Sequence, residues 1–515
     1  MFTSMILYVL SAILLALSFP KASWSFLAWI ALVPLLLALD ERKGRGVSFR
    51  TGYFCGFLFF AFTFYWLMFV TTLGAVLLVA YFALYFGLFG LGYSWALKKS
   101  FYFRLLFVPA LWVSLEFLRA HVGGGFGWAS LGYSQYQNLW LIQIADLTGV
   151  YGVSFLIVMA NVVCKEVIAF FLKKTSSASR RELLGALAAF GILISASIGY
   201  GLFRLHEPVQ GPAIRVGVAQ GNVPNERRWS PRAWPLILRD YVALSQKLVR
   251  EKVDLIVWPE SAYPCVYEED PQLSRALEDF FRKAKTPHLI GMVRKQNGSY
   301  FNAAALFSPT GEIVQEYPKI HLVLFGEFIP FRKQFPLLSR IVPIDDFTPG
   351  AEYTLFKASG NGPQNEKLLY AALVCFEDTV PELTRGFVNS GAQLLVNISN
   401  DAWFADTAEP WMHLQSAVFR SIENRRELVR CGNVGVSCFI DSRGRVMAGV
   451  RNKDGKSTYV EGVAAHQAIF LRARTLYTKC GDFFAYLCIS GILMCVVLKM
   501  VSLFRKKGLR EQEGP

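Results

Sequence analysis

Leu368-Leu-Tyr-Ala-Ala-Leu-Val-Cys-Phe-Glu-Asp378 is the stretch from which the fold is read. Leu368 to Val374 form an unbroken apolar run, of the length and composition of a buried strand. The acidic pair Glu377-Asp378 then reads as a turn into a helix. Between them, at the end of the strand, stands a thiol, Cys375. Free cysteine is among the most buried residue types and is commonly inert packing. A thiol where a buried strand opens into a loop is equally a place for a nucleophile, and this stretch alone leaves both readings open.

Working outward, short apolar runs alternate with polar, helical stretches. Residues 214–220, 254–258, 288–294, 301–307 and 393–399 read as further strands. Residues 234–251, 271–284, 381–390 and 412–427 read as helices. Residues 435–441 and 445–449 predict a late hairpin around Ser442-Arg-Gly444. The pattern is an α/β domain with both strand pairs and crossovers. Glu260 follows the apolar Leu255-Ile-Val-Trp-Pro259, and Lys319 follows Tyr317-Pro318, with Gly326-Glu-Phe-Ile-Pro330 just beyond. Side chains at strand ends of one sheet converge on one mouth although far apart in the chain. Taken singly, Glu260 and Lys319 read equally well as solvated surface charges.

This domain sits in an apolar chain. Of 515 residues, 53% are hydrophobic and 18% charged, with 43 Phe, 12 Trp and a mean hydropathy of +0.35. Soluble domains of this length are rarely so apolar. The net charge of +15 suggests nucleic acid in a soluble protein. In a membrane protein it marks cytoplasmic loops instead. Apolar segments at 3–19, 24–40, 52–70, 73–97, 102–118, 152–172, 184–203 and 482–504 predict eight spans. The first lacks a charged n-region and an evident cleavage site, so a retained helix is expected over a removed signal peptide. Basic clusters recur in alternate connections: Arg42 to Arg50, Lys98 to Arg104, Lys173 to Arg181, and Arg505 to Arg510. The others carry only Lys21 and Arg119. This alternation predicts both termini in the cytoplasm and the long segment 204–481 on the outer face. The Gly-rich connection 119–150 lacks the strand-and-helix context of a nucleotide loop. It is expected to shape a ligand cavity or to serve as a surface connection. Glu116 and Glu166 are the exceptions to spans otherwise poor in buried charge, which speaks against a transport pathway. Nine Cys without a CxxC pair and six scattered His predict neither a disulfide framework nor a metal site.

Four blocks carry a resemblance: Trp258-Pro-Glu-Ser261; Lys319 with Phe325-Gly-Glu327; Cys375-Phe-Glu377; and Asn397-Ile-Ser-Asn-Asp-Ala-Trp-Phe404. Together they resemble the nitrilase, or carbon–nitrogen hydrolase, superfamily. With seven apolar spans before the domain and one after, the whole chain resembles the apolipoprotein N-acyltransferases. Gln220-Gly-Asn-Val-Pro224 with Trp229, and Leu131-Gly-Tyr-Ser-Gln135, extend the likeness. It implies a nitrilase-like αββα sandwich inserted between transmembrane helices 7 and 8 of an eight-helix membrane domain. The expected partition is 1–203 for the membrane domain, 204–481 for a periplasmic catalytic domain, and 482–515 for the last helix and a basic tail. It implies a catalytic triad of Glu260, Lys319 and Cys375, supported by Trp229, Glu327, Phe376, Glu377 and Trp403. Phe376 stands where many members carry Tyr, and Leu324 where Pro often precedes the Phe-Gly-Glu block.

The residue types suit that role independently. A nearby Lys⁺ favours the thiolate of a cysteine. A carboxylate can take the thiol proton and return it to a leaving oxygen. Lys319, with the N–H after Cys375, can steady a tetrahedral oxyanion. The implied reaction moves an acyl group from a phospholipid to the N-terminal amine of a diacylated apolipoprotein through a Cys thioester. The resemblance implies a monomer in the bacterial inner membrane, without cofactor, metal or nucleic acid. The competing expectation is a membrane-tethered amidase hydrolysing a small carbon–nitrogen substrate. A lipid-binding or transport protein with an inactive outer domain is a further one. The aromatic stretch 325–350 is expected either as a mobile lid or as a packed loop.

Overall fold

The computed structural model describes residues 2–41, 44–172, 178–329, 346–361 and 367–512. The chain divides into two compact units, Met1–Phe203 with Cys480–Pro515, and Arg204–Lys479.

The first unit is helical. Its helices include Phe2–Leu17, Arg45–Thr63, Thr72–Ala96, Phe101–His121, Val150–Phe171, Arg180–His206 and Phe483–Gln512. Among the described residues, five helices are long and apolar enough to cross a membrane: Thr72–Ala96, Phe101–His121, Val150–Phe171, Arg180–His206 and the one beginning at Phe483. Residues 24–40, expected as one span, instead form a 3₁₀ turn, Ser25–Trp29, and a short helix, Val33–Asp40. Pro34 in the first turn of that helix has no N–H to continue the preceding one. More charge is buried here than expected. Lys165 Nζ lies 2.5 Å from Asp40 Oδ2 and 2.9 Å from Glu166 Oε1, and Arg104 Nη2 lies 2.9 Å from the same Glu166 oxygen. Tyr93 donates to Asp40 at 2.9 Å. Two acids and two bases neutralise one another, which is how charge is tolerated in such an interior. Glu116 accepts from Trp112 Nε1 at 2.8 Å and Leu131 N at 2.6 Å. Arg119 donates to the carbonyls of Phe126 and Trp128 at 2.7 and 2.6 Å. The Gly-rich connection is thus tied to its own preceding helix, and it folds further into Leu131–Gln135, Leu139–Ile142 and Ala145–Thr148.

Among the described residues the second unit holds twelve strands: β1 Ala213–Gln220, β2 Leu255–Val257, β3 His288–Gln296, β4 Ser299–Phe307, β5 Ile313–Pro318, β6 Leu355–Asn361, β7 Lys367–Val374, β8 Leu394–Ser399, β9 Leu428–Gly432, β10 Cys438–Ile440, β11 Val446–Gly449 and β12 Gly462–Ile469. They make two six-stranded sheets, ordered β12-β1-β2-β3-β4-β5 and β11-β10-β9-β8-β7-β6. In each, the parallel strands lie in the middle and antiparallel strands flank them. The sheets meet face to face: Cys431 Sγ of β9 is 3.3 Å from Val257 O and 3.6 Å from Ala219 O in the other sheet.

Helices cover the outer faces. Trp234–Arg250 lays Ile237, Leu238, Tyr241, Leu244 and Leu248, one helical stripe, against the first sheet. Pro271–Ala284 adds Leu277 and Phe281 to the same core. Trp258 anchors it, stacked on Tyr241 at 4.9 Å and donating to Ser245 at 2.8 Å. Pro381–Asn389 and Glu409–Asn424 belong to the second sheet's half. The architecture is the αββα sandwich that the resemblance implied. The expected helix at 412–427 begins earlier, where Pro410 suits a first turn, and ends where Arg425 turns left-handed at φ +49°. β5, β6, β9 and β12 lie outside the expected strands. β5, β6 and β12 carry polar residues within a short run, which blurs the apolar signal, and β5 and β6 are sheet edges.

Candidate active site

Three strand ends of this sandwich carry the expected triad. β2 is followed by Trp258, whose N–H donates to Leu289 O at 2.9 Å, and by Pro259, whose carbonyl accepts from Gly291 N at 3.2 Å. This pins Glu260 beside β3, so closely that a Cβ on Gly291 would lie 2.5 Å from Glu260 Cα. Lys319 follows β5; its N–H donates to Asn302 O and its carbonyl accepts from Gly350 N, both at 2.8 Å. Cys375 follows β7 with φ +54°, a left-handed backbone that a non-glycine residue adopts at some cost. The turn lifts the thiol out of the ladder, while the Cys375 carbonyl accepts from Asn397 Nδ2 at 3.1 Å and His413 Nε2 at 3.2 Å.

Glu260, Glu327 and Lys319 form one buried cluster. Lys319 Nζ is 2.8 Å from Glu327 Oε2 and 4.0 Å from Glu260 Oε1. Asn302 Nδ2 bridges the two carboxylates, donating to Glu260 Oε1 and Glu327 Oε1 at 2.7 Å each. Glu327 also accepts from Val323 N at 2.8 Å. Beyond its ion pairs, the buried Lys319 ammonium has no hydrogen-bond partner among the described residues, which leaves protons for a developing anion.

Burial tends to strip Lys319 of its proton, but Glu327, Cys375 and Glu260 outweigh it and hold the ammonium above its ordinary range. Burial raises Glu260, Lys319 lowers it, Glu327 raises it again, and the net direction is up. For Cys375, burial and then Glu260 push the thiol well up, against the pull of Lys319. The expected depression by Lys319 is real but outvoted. Burial and Glu260 thus favour the protonated form of Cys375, and a thiol that attacks must lose its proton to a nearby base.

Glu377 is fully buried and joins two loops: it accepts from Val374 N at 2.7 Å on the nucleophile side, and from Tyr317 Oη, Ile320 N and His321 N at 2.8, 2.8 and 3.0 Å beside Lys319. Burial pushes it up to about 7, against the lowering by Lys319 and these donors. Phe376 stacks on His321 with centroids 5.9 Å apart. Trp229 and Trp403 are 64% and 44% exposed and pair with each other at 6.2 Å, at the surface rather than in the buried cluster. Of the expected stretch 325–350, residues 330–345 lie outside the described residues, and with them the lid.

The structure adds residues that the motifs did not single out. Asn302 is the bridge; its only trace in the sequence is one polar residue inside the apolar run Phe301–Phe307. Beneath Cys375 lies a buried charge network. His413 Nε2 meets Asp378 Oδ1 at 2.7 Å and its Nδ1 meets Asp401 Oδ1 at 3.3 Å. Arg430 meets Asp378 at 2.9 Å, Asp401 at 3.3 Å and Asn397 Oδ1 at 2.8 Å. Burial and Arg430 push His413 down, yet Asp378 and Asp401 hold it up at about 10, so it is an imidazolium. Burial raises Asp401, and His413 and Arg430 outweigh that to hold it below the usual carboxylate range.

The carbon–nitrogen hydrolase family model matches residues 215–466, and a model described as the apolipoprotein N-acyltransferase N-terminal domain matches residues 11–163. A Geobacter metallireducens protein named apolipoprotein N-acyltransferase is 37% identical over 98% of this chain and 96% of its own length. The chain belongs to the apolipoprotein N-acyltransferase family. A second member, from Chlorobaculum tepidum, is 30% identical over 97% of this chain and 96% of its own. Among solved structures, an amidase from Nesterenkonia sp. aligns at 16% identity and TM-score 0.38, covering 51% of this chain and 93% of that one. The resemblance read from the four motif blocks therefore holds across both units. Family membership and the apolar helices make this a membrane protein.

Proposed function

We propose that this chain transfers a fatty acyl group from a membrane phospholipid to the N-terminal amine of the diacylglyceryl-cysteine of apolipoproteins, with Glu260, Lys319 and Cys375 as catalytic residues. The observation that carries the reading is the buried Glu260–Lys319–Glu327 cluster set against a thiol on a left-handed turn, in a chain of this family. Glu260 takes the Cys375 proton as sulfur attacks the ester carbonyl. Lys319, with the N–H of Phe376, steadies the oxyanion. The C–O bond then breaks, Glu260 returns the proton to the departing alkoxide, and a lysophospholipid leaves a thioester on Cys375. The acceptor amine attacks that thioester, Glu260 receives the amine's proton, the C–S bond breaks, and the proton returns to sulfur as the amide forms. The thioester stores the acyl group, so the exchange calls for no cofactor. Glu327 orients Lys319, Glu377 and Phe376 shape the nucleophile loop, and Trp229 and Trp403 present an apolar rim to acyl chains.

In this reading the protein is a monomer of the bacterial inner membrane. Residues 1–203 form the membrane domain, 204–481 the periplasmic domain, and 482–515 the last span and a cytoplasmic tail. The deciding experiment is intact-mass analysis of the purified protein with phospholipid and no acceptor. A fatty-acyl adduct is expected on wild type and not on Cys375→Ala or Glu260→Gln. A diacylated lipopeptide should then discharge it as a triacylated product. Absence of the adduct, or turnover of a soluble amide with no lipopeptide product, overturns the reading in favour of hydrolysis.

A further inference from the structure

The catalytic domain carries a second concavity, at the opposite end of the strands from Cys375. β7, β8 and β9 run parallel, with Val374 level with Ile398 and Cys431. Cys375 lies just past their C-terminal ends, whereas Arg425 precedes β9 at the N-terminal end. Along β9, Leu428 to Cys431 is three residues of strand rise, on the order of 10 Å, and Arg425 lies on the turn before it. At the Arg425 end, a groove of about 560 Å³ is lined by Arg204, Arg425, Arg443 and Arg472, by residues 207–212, and by Phe470 and Leu471.

Its composition points to an anion with an apolar body. Four arginines and one carboxylate, Glu207, are among its lining residues, and Glu207 is ion-paired to Arg204. Arg425 is 7% exposed, held on its left-handed turn with Nη1 3.3 Å from Ser442 O. Arginine forks match phosphate oxygens better than any other side chain. A volume of several hundred Å³ suits a headgroup with its glycerol. Phe470, Leu471, Val209 and the prolines 208 and 212 supply apolar wall.

The groove adjoins, along the chain, the two helices that flank this unit and are long and apolar enough to cross a membrane. Arg204 is in the last turn of the membrane helix Arg180–His206, and the lining residues 207–212 are its direct continuation. On the other side, Phe470 to Ala473 lead within ten residues to the helix that starts at Phe483. Both connections between domain and membrane helices leave from this groove.

We propose that this arginine groove binds the phosphate of an anionic membrane phospholipid, at a site separate from the thiol. Basic clusters beside a membrane helix attract anionic lipid, and the apolar wall favours a lipid over free phosphate. The test uses full-length protein in detergent, titrated with phosphatidylglycerol or phosphatidylcholine and read by native mass spectrometry. The first phosphatidylglycerol should bind roughly tenfold more tightly than phosphatidylcholine. Arg443→Gln with Arg472→Gln should abolish that preference, and a millimolar excess of inorganic phosphate should leave it intact. Arg472 is exposed, so Arg472→Gln alone serves if the double variant fails to fold, with a partial loss expected. Equal binding of the two lipids, a preference that survives in the variants, or displacement by inorganic phosphate each overturns the proposal. Thioester formation on Cys375 is a separate readout, so failure here is distinguishable from failure of the acyl-transfer reading.

Discussion

Asn302 shows how a single side chain sets the chemistry of its neighbours. It donates to Glu260 and Glu327 at 2.7 Å each, and so ties the carboxylate paired with Lys319 at 2.8 Å to the one 4.0 Å from it. A hydrogen bond to a charged group contributes about 1.5–3 kcal/mol. Asn302→Leu is therefore expected to slow Cys375 acylation by roughly 10- to 100-fold, measured as the rate of adduct formation by rapid-quench mass spectrometry. Lys319→Met removes the cation beside both carboxylates, to which the proposed reaction assigns the oxyanion, and the adduct should fall below detection. Glu260 and Cys375 stood out in the sequence because each closes an apolar run, and Lys319 because it precedes the Phe325-Gly-Glu327 block. Asn302 did not, because its partners lie 25 and 42 positions away and no local pattern announces such a pairing.

At the scale of elements, the site depends on how closely strands and turns approach. β3 passes the Pro259-Glu260 backbone so tightly that a Cβ at Gly291 would sit 2.5 Å from Pro259 O and from Glu260 Cα. Gly291→Ala must displace Glu260, and overpacking of this kind costs about 1–3 kcal/mol. The expected outcome is a lower thermal midpoint together with slower acylation, whereas Gly298→Ala at the exposed β3–β4 turn, where a Cβ meets nothing within 4 Å but φ is +80°, should lose stability alone. The turn at Cys375 is held from below by Asn397 and His413 on its carbonyl, and from the side by Glu377 on the N–H of Val374. β1, β3, β4, β7 and β8 were legible as apolar runs. β5, β6, β9 and β12 were not, because sheet edges and polar-laced strands need not be continuous in apolar residues.

For the whole molecule, buried charge is distributed in neutralised clusters in each unit. In the catalytic unit His413 faces Asp378, Asp401, Glu409 and Arg430. Its protonation is held up at about 10 against an ordinary 6.5. A raised folded-state value contributes stability that is complete below the unfolded value and fades as pH rises through the folded one. The deficit of His413→Asn relative to wild type is thus expected to be largest at and below pH 6.5 and to shrink toward pH 10. Denaturant titrations of the full chain at several pH values will show this, and a pH-independent deficit contradicts it. In the membrane unit Lys165 joins Asp40 and Glu166. Lys165→Met strands the buried Asp40 carboxylate and leaves Glu166 to Arg104, and breaking a buried pair costs about 3–5 kcal/mol. A matching fall in the midpoint of detergent unfolding is expected.

By itself, the order of residues determined that this is a membrane chain with an α/β domain between its apolar segments, and which three strand-end side chains to bring together. The first conclusion rests on local periodicity and composition, and the second on the motif blocks that carry the family resemblance, all of which one dimension records. Only the tertiary structure decided the balance at Cys375, where burial and the field of Glu260 push the thiol up against the pull of Lys319. Only it revealed Asn302 as the bridge and His413 and Arg430 beneath the turn. It also broke the apolar stretch 24–40 at Pro34 and gathered four distant arginines at the far end of the sandwich. Electrostatic balance and close packing depend on distances between segments remote in the chain, and folding alone sets those distances.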